Sequence, residues 1–121
     1  GQLILFDSTD DGLCSELGFD LLLVNGHTEK MALPMVQYKG KTILFASDLV
    51  PTAGHIPIPY LMGYDVRPLV TMEEKTRILN NLVENNSLIF LQHDPVNEVV
   101  FLKKTEKGVR FDGSSTIKDF F

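Results

Sequence analysis

The chain has 121 residues and a mass of 13.6 kDa, enough for one domain with a modest core and too little for a multi-domain enzyme. Eleven basic against sixteen acidic residues leave a formal charge of −5 with the histidines neutral, which disfavours a nucleic-acid partner. A hydrophobic fraction of 44% against 22% charged, without a low-complexity tract, is that of a folding chain and excludes a disordered one. One cysteine, Cys14, can form no internal disulfide and no Cys-based zinc finger, so it reads as a packed or idle thiol in a chain that needs no oxidising compartment. The apolar runs at 21–24 and 43–46 are too short to span a bilayer, and no basic segment precedes them. A soluble, cytoplasmic protein is expected.

Residues 2–6 form a short apolar run that stops in the turn formers Asp7, Ser8, Thr9, Asp10, Asp11 and Gly12, which predicts a strand or the end of one. A second run, 19–24, is almost wholly apolar, as a strand covered on both faces should be, and ends at Asn25, Gly26 and His27. Residues 33–38 and 41–46 flank Lys39-Gly40, where glycine supplies the positive φ of a two-residue hairpin. The stretch 50–68 holds four of the six prolines and excludes a regular helix or central strand. It carries His55, Tyr60, Tyr64 and Asp65, a mixture typical of a pocket wall. A helix is predicted over 71–86, with Thr71 and Glu74 as a capping box, an apolar stripe of Ile78, Leu79, Leu82 and Val83, and Asn85-Asn86 as its stop. The run 88–91 predicts a short strand that places His93 at its end, before Pro95. Residues 98–103 and 109–111 predict a hairpin across 104–108, and 114–121 a terminal helical turn.

Three apolar runs therefore end within a few residues in a metal-competent side chain: His27, Asp48 and His93. Ligands collect where buried strands leave the core on a still rigid backbone, and two imidazoles with a carboxylate suit zinc, iron or manganese. Polar strand ends also simply mark the exit to solvent, and separations of 21 and 45 residues match no local ligand motif, so the pattern alone leaves both readings open.

In order and strand context, Gly26-His27-Thr28, the run from Gly40 through Asp48 to Leu49, and Leu91-Gln92-His93-Asp94-Pro95 after a helix resemble the C-terminal half of a metallo-β-lactamase-fold hydrolase. The resemblance implies an α/β fold, a mixed, mainly antiparallel sheet with a helix on one face, half of the αβ/βα sandwich. It also implies that His27 ligates a first divalent metal, that Asp48 bridges two, and that His93 ligates the second. Zinc is the first choice of metal, with iron or manganese as alternatives. The family's His-x-His-x-Asp-His signature is absent, since the only histidines are His27, His55 and His93. The turn also reads His-Thr-Glu-Lys-Met in place of the frequent His-Thr-Pro-Gly-His.

Residues 1–121 are thus expected to be one domain-half of a longer dinuclear hydrolase of a small ester, lactone, thioester or phosphoester. Its partner would be the N-terminal half carrying the missing signature. The isolated chain is expected to be inactive, to hold metal weakly or not at all, and to form a homo-oligomer through its uncovered sheet face. Gly1 in place of Met agrees with a fragment, as it does with a tag remnant. As substrate-binding candidates His55 lines the pocket or packs in its loop, and Tyr60 and Tyr64 donate to an oxyanion or merely pack their rings. Asp65 can pair with Arg67 to pin the loop, and Asp94 is more suited to capping the turn before Pro95 than to orienting His93. The rival reading is a non-catalytic binding domain without metal.

Overall fold

The computed structural model describes residues 1, 3 and 18–121. Apart from Leu3, the strand expected at 2–6 lies outside the described residues, as do the turn cluster at 7–12 and Cys14. Within them the apolar runs become strands: β1 (Asp20–Val24), β2 (Met31–Tyr38), β3 (Lys41–Phe45), β4 (Leu88–Phe90), β5 (Val99–Thr105) and β6 (Gly108–Ser115). They form one sheet in sequence order, antiparallel throughout except where β4 runs parallel to β3. The expected mixed, mainly antiparallel sheet is borne out.

The β2–β3 turn places both Lys39 (φ 47°) and Gly40 (φ 77°) in the left-handed region, the geometry whose twist matches a two-residue hairpin. The last hairpin is tighter than expected. Its connection is Glu106-Lys107 alone, because the pairing continues to Thr105↔Gly108.

The helix α1 (Pro68–Glu84) starts three residues before the expected Thr71, with Arg67 as N-cap and no side-chain cap. Proline costs nothing at a first helical position, since its missing N–H would have no intrahelical partner there. Thr71 is therefore an interior residue whose N–H donates to the Arg67 carbonyl at 3.0 Å, and the capping box does not form. At the other end Asn86 turns left-handed (φ 51°), while the Ser87 and Asn86 N–H groups donate to the Leu82 and Val83 carbonyls, so the stop falls where expected. A terminal turn, α2 (Ile117–Phe120), is capped by Thr116.

The two-residue side-chain period of the strands sorts the apolar residues onto two faces. Val24, Leu33, Leu44, Ile89 and Val100 meet Ile78, Leu79 and Leu82 of α1 in the buried core. On the other side Val36, Tyr38, Ile43, Phe45 and Phe90 line an apolar groove of about 350 Å³ with Ile117 and Phe121. The Phe45 and Phe90 rings stack at 5.6 Å there, and Tyr38 is 47% exposed, so α2 covers this second face only in part. No helix among the described residues is long and apolar enough to cross a membrane.

Candidate functional site

Strand direction gathers the three residues singled out by sequence. β1 and β3 each run antiparallel to β2 and hence in the same direction, and β4 is parallel to β3. The C-terminal ends of β1, β3 and β4 therefore open on one edge of the sheet, where His27, Asp48 and His93 follow them. Asp48 lies in a single helical turn, Ser47–Leu49, directly after β3. Its Oδ2 is 3.5 Å from His27 Nε2 and its Oδ1 is 3.0 Å from His93 Nε2. One carboxylate thus offers an oxygen to each imidazole.

His27 is held from several directions. Its Nδ1 is 2.8 Å from Oδ1 of Asp65, whose side chain is only 2% exposed. Because a carboxylate accepts, that contact places an Nδ1–H against Asp65 and turns Nε2 toward Asp48. The expected Asp65–Arg67 pair does not form: Asp65 turns inward to the imidazole, and Arg67 reaches Glu29 at 3.8 Å and donates to the Asn25 carbonyl. The backbone around His27 is pinned as well. Glu74 of α1 accepts from the N–H groups of Asn25 and Gly26 at 2.7 and 3.0 Å, the work its carboxylate does in place of the capping box. The N–H groups of Val66 and Arg67 donate to the His27 and Gly26 carbonyls. Gly26 lies so close to α1 that a Cβ there would sit 2.4 Å from the Thr71 nitrogen, which is why only glycine fits.

His93 is half exposed, and its ring is paired with Asp48, while its backbone N–H donates to the Pro51 carbonyl. Its neighbour Asp94 caps the turn as expected, accepting from the N–H groups of Val96 and Asn97 and the Asn97 amide, and reaching across to the Ala53 N–H at 2.9 Å. Partial burial works to raise the Asp94 pKa, but these hydrogen bonds outweigh it and hold the carboxyl down at about 2.

Beside the cluster lies an open cavity of about 480 Å³ lined by Pro51, Thr52, His55, Leu61, Met62, Gly63, Tyr64 and His93. His55 and Tyr64 are thus on its wall. The Tyr64 ring also stands edge-on to His27 at 6.1 Å. Tyr60 is 62% exposed and is not part of the lining. His55 Nδ1 is 2.8 Å from the Thr52 hydroxyl, and burial first, then the nearby Lys75 charge, lower its pKa against the opposing pull of Asp65.

The donor set can be tested against a metal. Two ligands of one zinc ion at bond lengths of about 2.1 Å and a tetrahedral angle stand roughly 3.4 Å apart. The observed His–Asp separations of 3.5 and 3.0 Å bracket that value, so the chemistry fits two positions sharing Asp48. Each position has only one histidine and one oxygen, and among the described residues no group of three or more His, Cys, Asp or Glu closes around a single ion. Sequence reasoning named Asp65 and Glu74 but gave them other roles, a pair with Arg67 and a capping box. The place of Asp65 in a loop read as a pocket wall is the one signal that pointed toward its part in the site.

No family model matches the chain, and a search of curated proteins finds no match. Solved structures do match. A probable metal-dependent hydrolase from Staphylococcus aureus superposes with a TM-score of 0.78 at 20% identity, over 95% of this chain and 40% of that one. AidC, a dizinc quorum-quenching lactonase in complex with a product, matches with a TM-score of 0.77 at 18% identity, over 96% and 39% of the two chains. AbOPH, a hydrolase in the beta lactamase superfamily, matches with 0.71 at 21% identity, over 81% and 35%. The chain has part of the metallo-β-lactamase fold, as the motifs implied. The chain spans about two fifths of the length of the first two.

Proposed function

We propose that the chain is the C-terminal half of a dinuclear metal-dependent hydrolase and supplies the His27–Asp48–His93 side of its centre. The observation that carries this reading is the single Asp48 carboxylate with one oxygen directed at each imidazole. His27 and His93 would each hold one cation, Asp48 would be shared between them, and a His-x-His-x-Asp-His segment on the other half of the domain would supply the remaining ligands. When bound, such cations would supply Lewis acidity, activating water as a nucleophile and polarising a scissile carbonyl or phosphoryl oxygen. The protein's own part is to fix the donors. Asp65 sets the His27 tautomer and ring plane, and Asp48 keeps both imidazoles at one edge. His55 and Tyr64 line the adjoining cavity, where a small ester, lactone, thioester or phosphoester binds, whereas Tyr60 stands outside that lining.

The half-exposed aromatic face carries the second part of the reading. Val36, Tyr38, Phe45 and Phe90 form a surface that the remaining half of the domain covers, and without it the chain self-associates. Elemental analysis of the dialysed chain, alone and mixed with a separately produced N-terminal half, tests the first part. Near-stoichiometric zinc, iron or manganese that appears with the second half and is lost in Asp48→Ala supports it. A reconstituted domain without metal would leave the rival, a binding module whose three residues are plain strand ends. Sedimentation tests the second part, where a monodisperse monomer counts against it.

A further inference from the structure

α1 carries a lysine that the proposed centre does not use. Lys75 is fully buried, yet it pairs with no carboxylate among the described residues. Its ammonium instead donates to three backbone carbonyls, those of Pro57 at 3.1 Å, Ile58 at 3.3 Å and Tyr60 at 2.9 Å. An ammonium has three N–H donors, so three carbonyls satisfy it, and the Pro57 oxygen uses its second lone pair for the Tyr60 N–H. The three carbonyls belong to the proline-containing segment that runs directly into Leu61, Met62, Gly63 and Tyr64, the far wall of the 480 Å³ cavity. That segment has no regular secondary structure of its own between the turn at Ala53–His55 and α1. Prolines at 57 and 59 deprive it of two backbone donors, so ladder pairing cannot hold it.

We propose that Lys75 is the positioning residue of the cavity wall: its buried ammonium gathers the Pro57, Ile58 and Tyr60 carbonyls and thereby sets where Leu61 to Tyr64 stand relative to His55 and His93. That this wall faces a substrate rests on the function proposed above; that Lys75 holds it does not. The charge is maintained at a cost. Burial lowers the Lys75 pKa from 10.5 to about 8, Asp65 pulls the other way, and His55 is the other titratable group that feels its charge. A residue serving only to fill space at this depth would do so more cheaply as methionine.

The substitution Lys75→Met keeps the length and apolar stem and removes the donors, while Lys75→Arg keeps a cation. Two amides report on the segment, Tyr60 N–H bonded to the Pro57 carbonyl and Asp65 N–H bonded to that of Met62. In Lys75→Met their hydrogen exchange is expected to quicken about tenfold or more, with Ile89 and Val100 in the sheet unchanged, and Lys75→Arg to restore most of the protection. Unchanged Tyr60 and Asp65 exchange in Lys75→Met, or an equal acceleration in the sheet, would overturn the proposal. Should Lys75→Met fail to fold, the unmodified chain decides. At about pH 6 its Lys75 ammonium should give a slowly exchanging ¹H–¹⁵N signal with scalar couplings to the carbonyl carbons of residues 57, 58 and 60, and a signal lost to solvent exchange like that of a surface lysine would overturn it. Neither measurement uses metal or turnover, so a failed hydrolase reading and a failed Lys75 assignment give different results.

Discussion

The two histidines of the cluster meet the same carboxylate but are held in unequal ways. His27 is 12% exposed, backed by a buried aspartate and by a backbone that Glu74, Val66 and Arg67 fix on both sides. His93 is 50% exposed, with its ring paired to Asp48 and a loop stitched down through Asp94. A donor whose rotamer and tautomer are fixed beforehand loses little freedom on binding a cation, whereas a half-exposed one must be ordered at that moment. The His27 position is thus preorganised and the His93 position adaptable, and their affinities should differ in that order.

Alanine scanning breaks this comparison most directly. His27→Ala leaves the Asp65 carboxylate buried without its partner and is expected to cost about 3 kcal/mol of unfolding free energy, whereas His93→Ala should cost under about 1 kcal/mol. Equal urea midpoint shifts would mean the two anchors are alike. Gly26→Ala pushes a methyl into the Thr71 backbone and is expected to cost about 2 kcal/mol or more, read by the same titration. Glu74→Ala strips two backbone donors of their acceptor and should cost about 1–2 kcal/mol, with faster exchange at the Asn25 and Gly26 amides and none at Val96 or Asn97.

The smallest effect belongs to the His93 side and depends on pH. The Asp94 carboxyl titrates lower in the folded chain than its ordinary 3.8, so its contribution is fully present above 3.8 and disappears as the pH falls through about 2. The stability difference between the parent chain and Asp94→Asn should be flat above 3.8 and shrink below it. A difference that persists at pH 2 would show that the loop is held by the amide geometry and not by the carboxylate charge.

Much of this was legible in the chain. Alternation and turn chemistry located the strands, and apolar runs ending in His27, Asp48 and His93 marked the edge where they meet. A mixed sheet was expected, although neither the parallel β3–β4 pair nor the order of six strands follows from any local pattern. What stayed hidden shares one cause. Asp65 lies 38 residues from His27 and Glu74 lies 48 from Gly26, so no periodicity connects them. Local grammar even pointed elsewhere, because Thr71 and Glu74 satisfy the spacing of a capping box while Pro68 had already opened the helix. Lys75 was invisible for a similar reason, since its partners are backbone carbonyls that every sequence possesses.

The parallel pairing of β3 with β4 spans only three residue pairs, Ile43↔Leu88, Leu44↔Ile89 and Phe45↔Phe90. On one side of this seam β1, β2 and β3 form a meander of nearest neighbours, and on the other β4, β5 and β6 form a second. Each meander closes through short loops, whereas the seam must bring together residues separated by the whole proline segment and α1, a far costlier loop closure. In refolding, the two meanders should therefore gain amide protection before the seam does, a sequence that pulsed hydrogen exchange can resolve. Because His27 and Asp48 belong to the first meander and His93 to the second, the cluster comes into being only when the last join in the sheet is made.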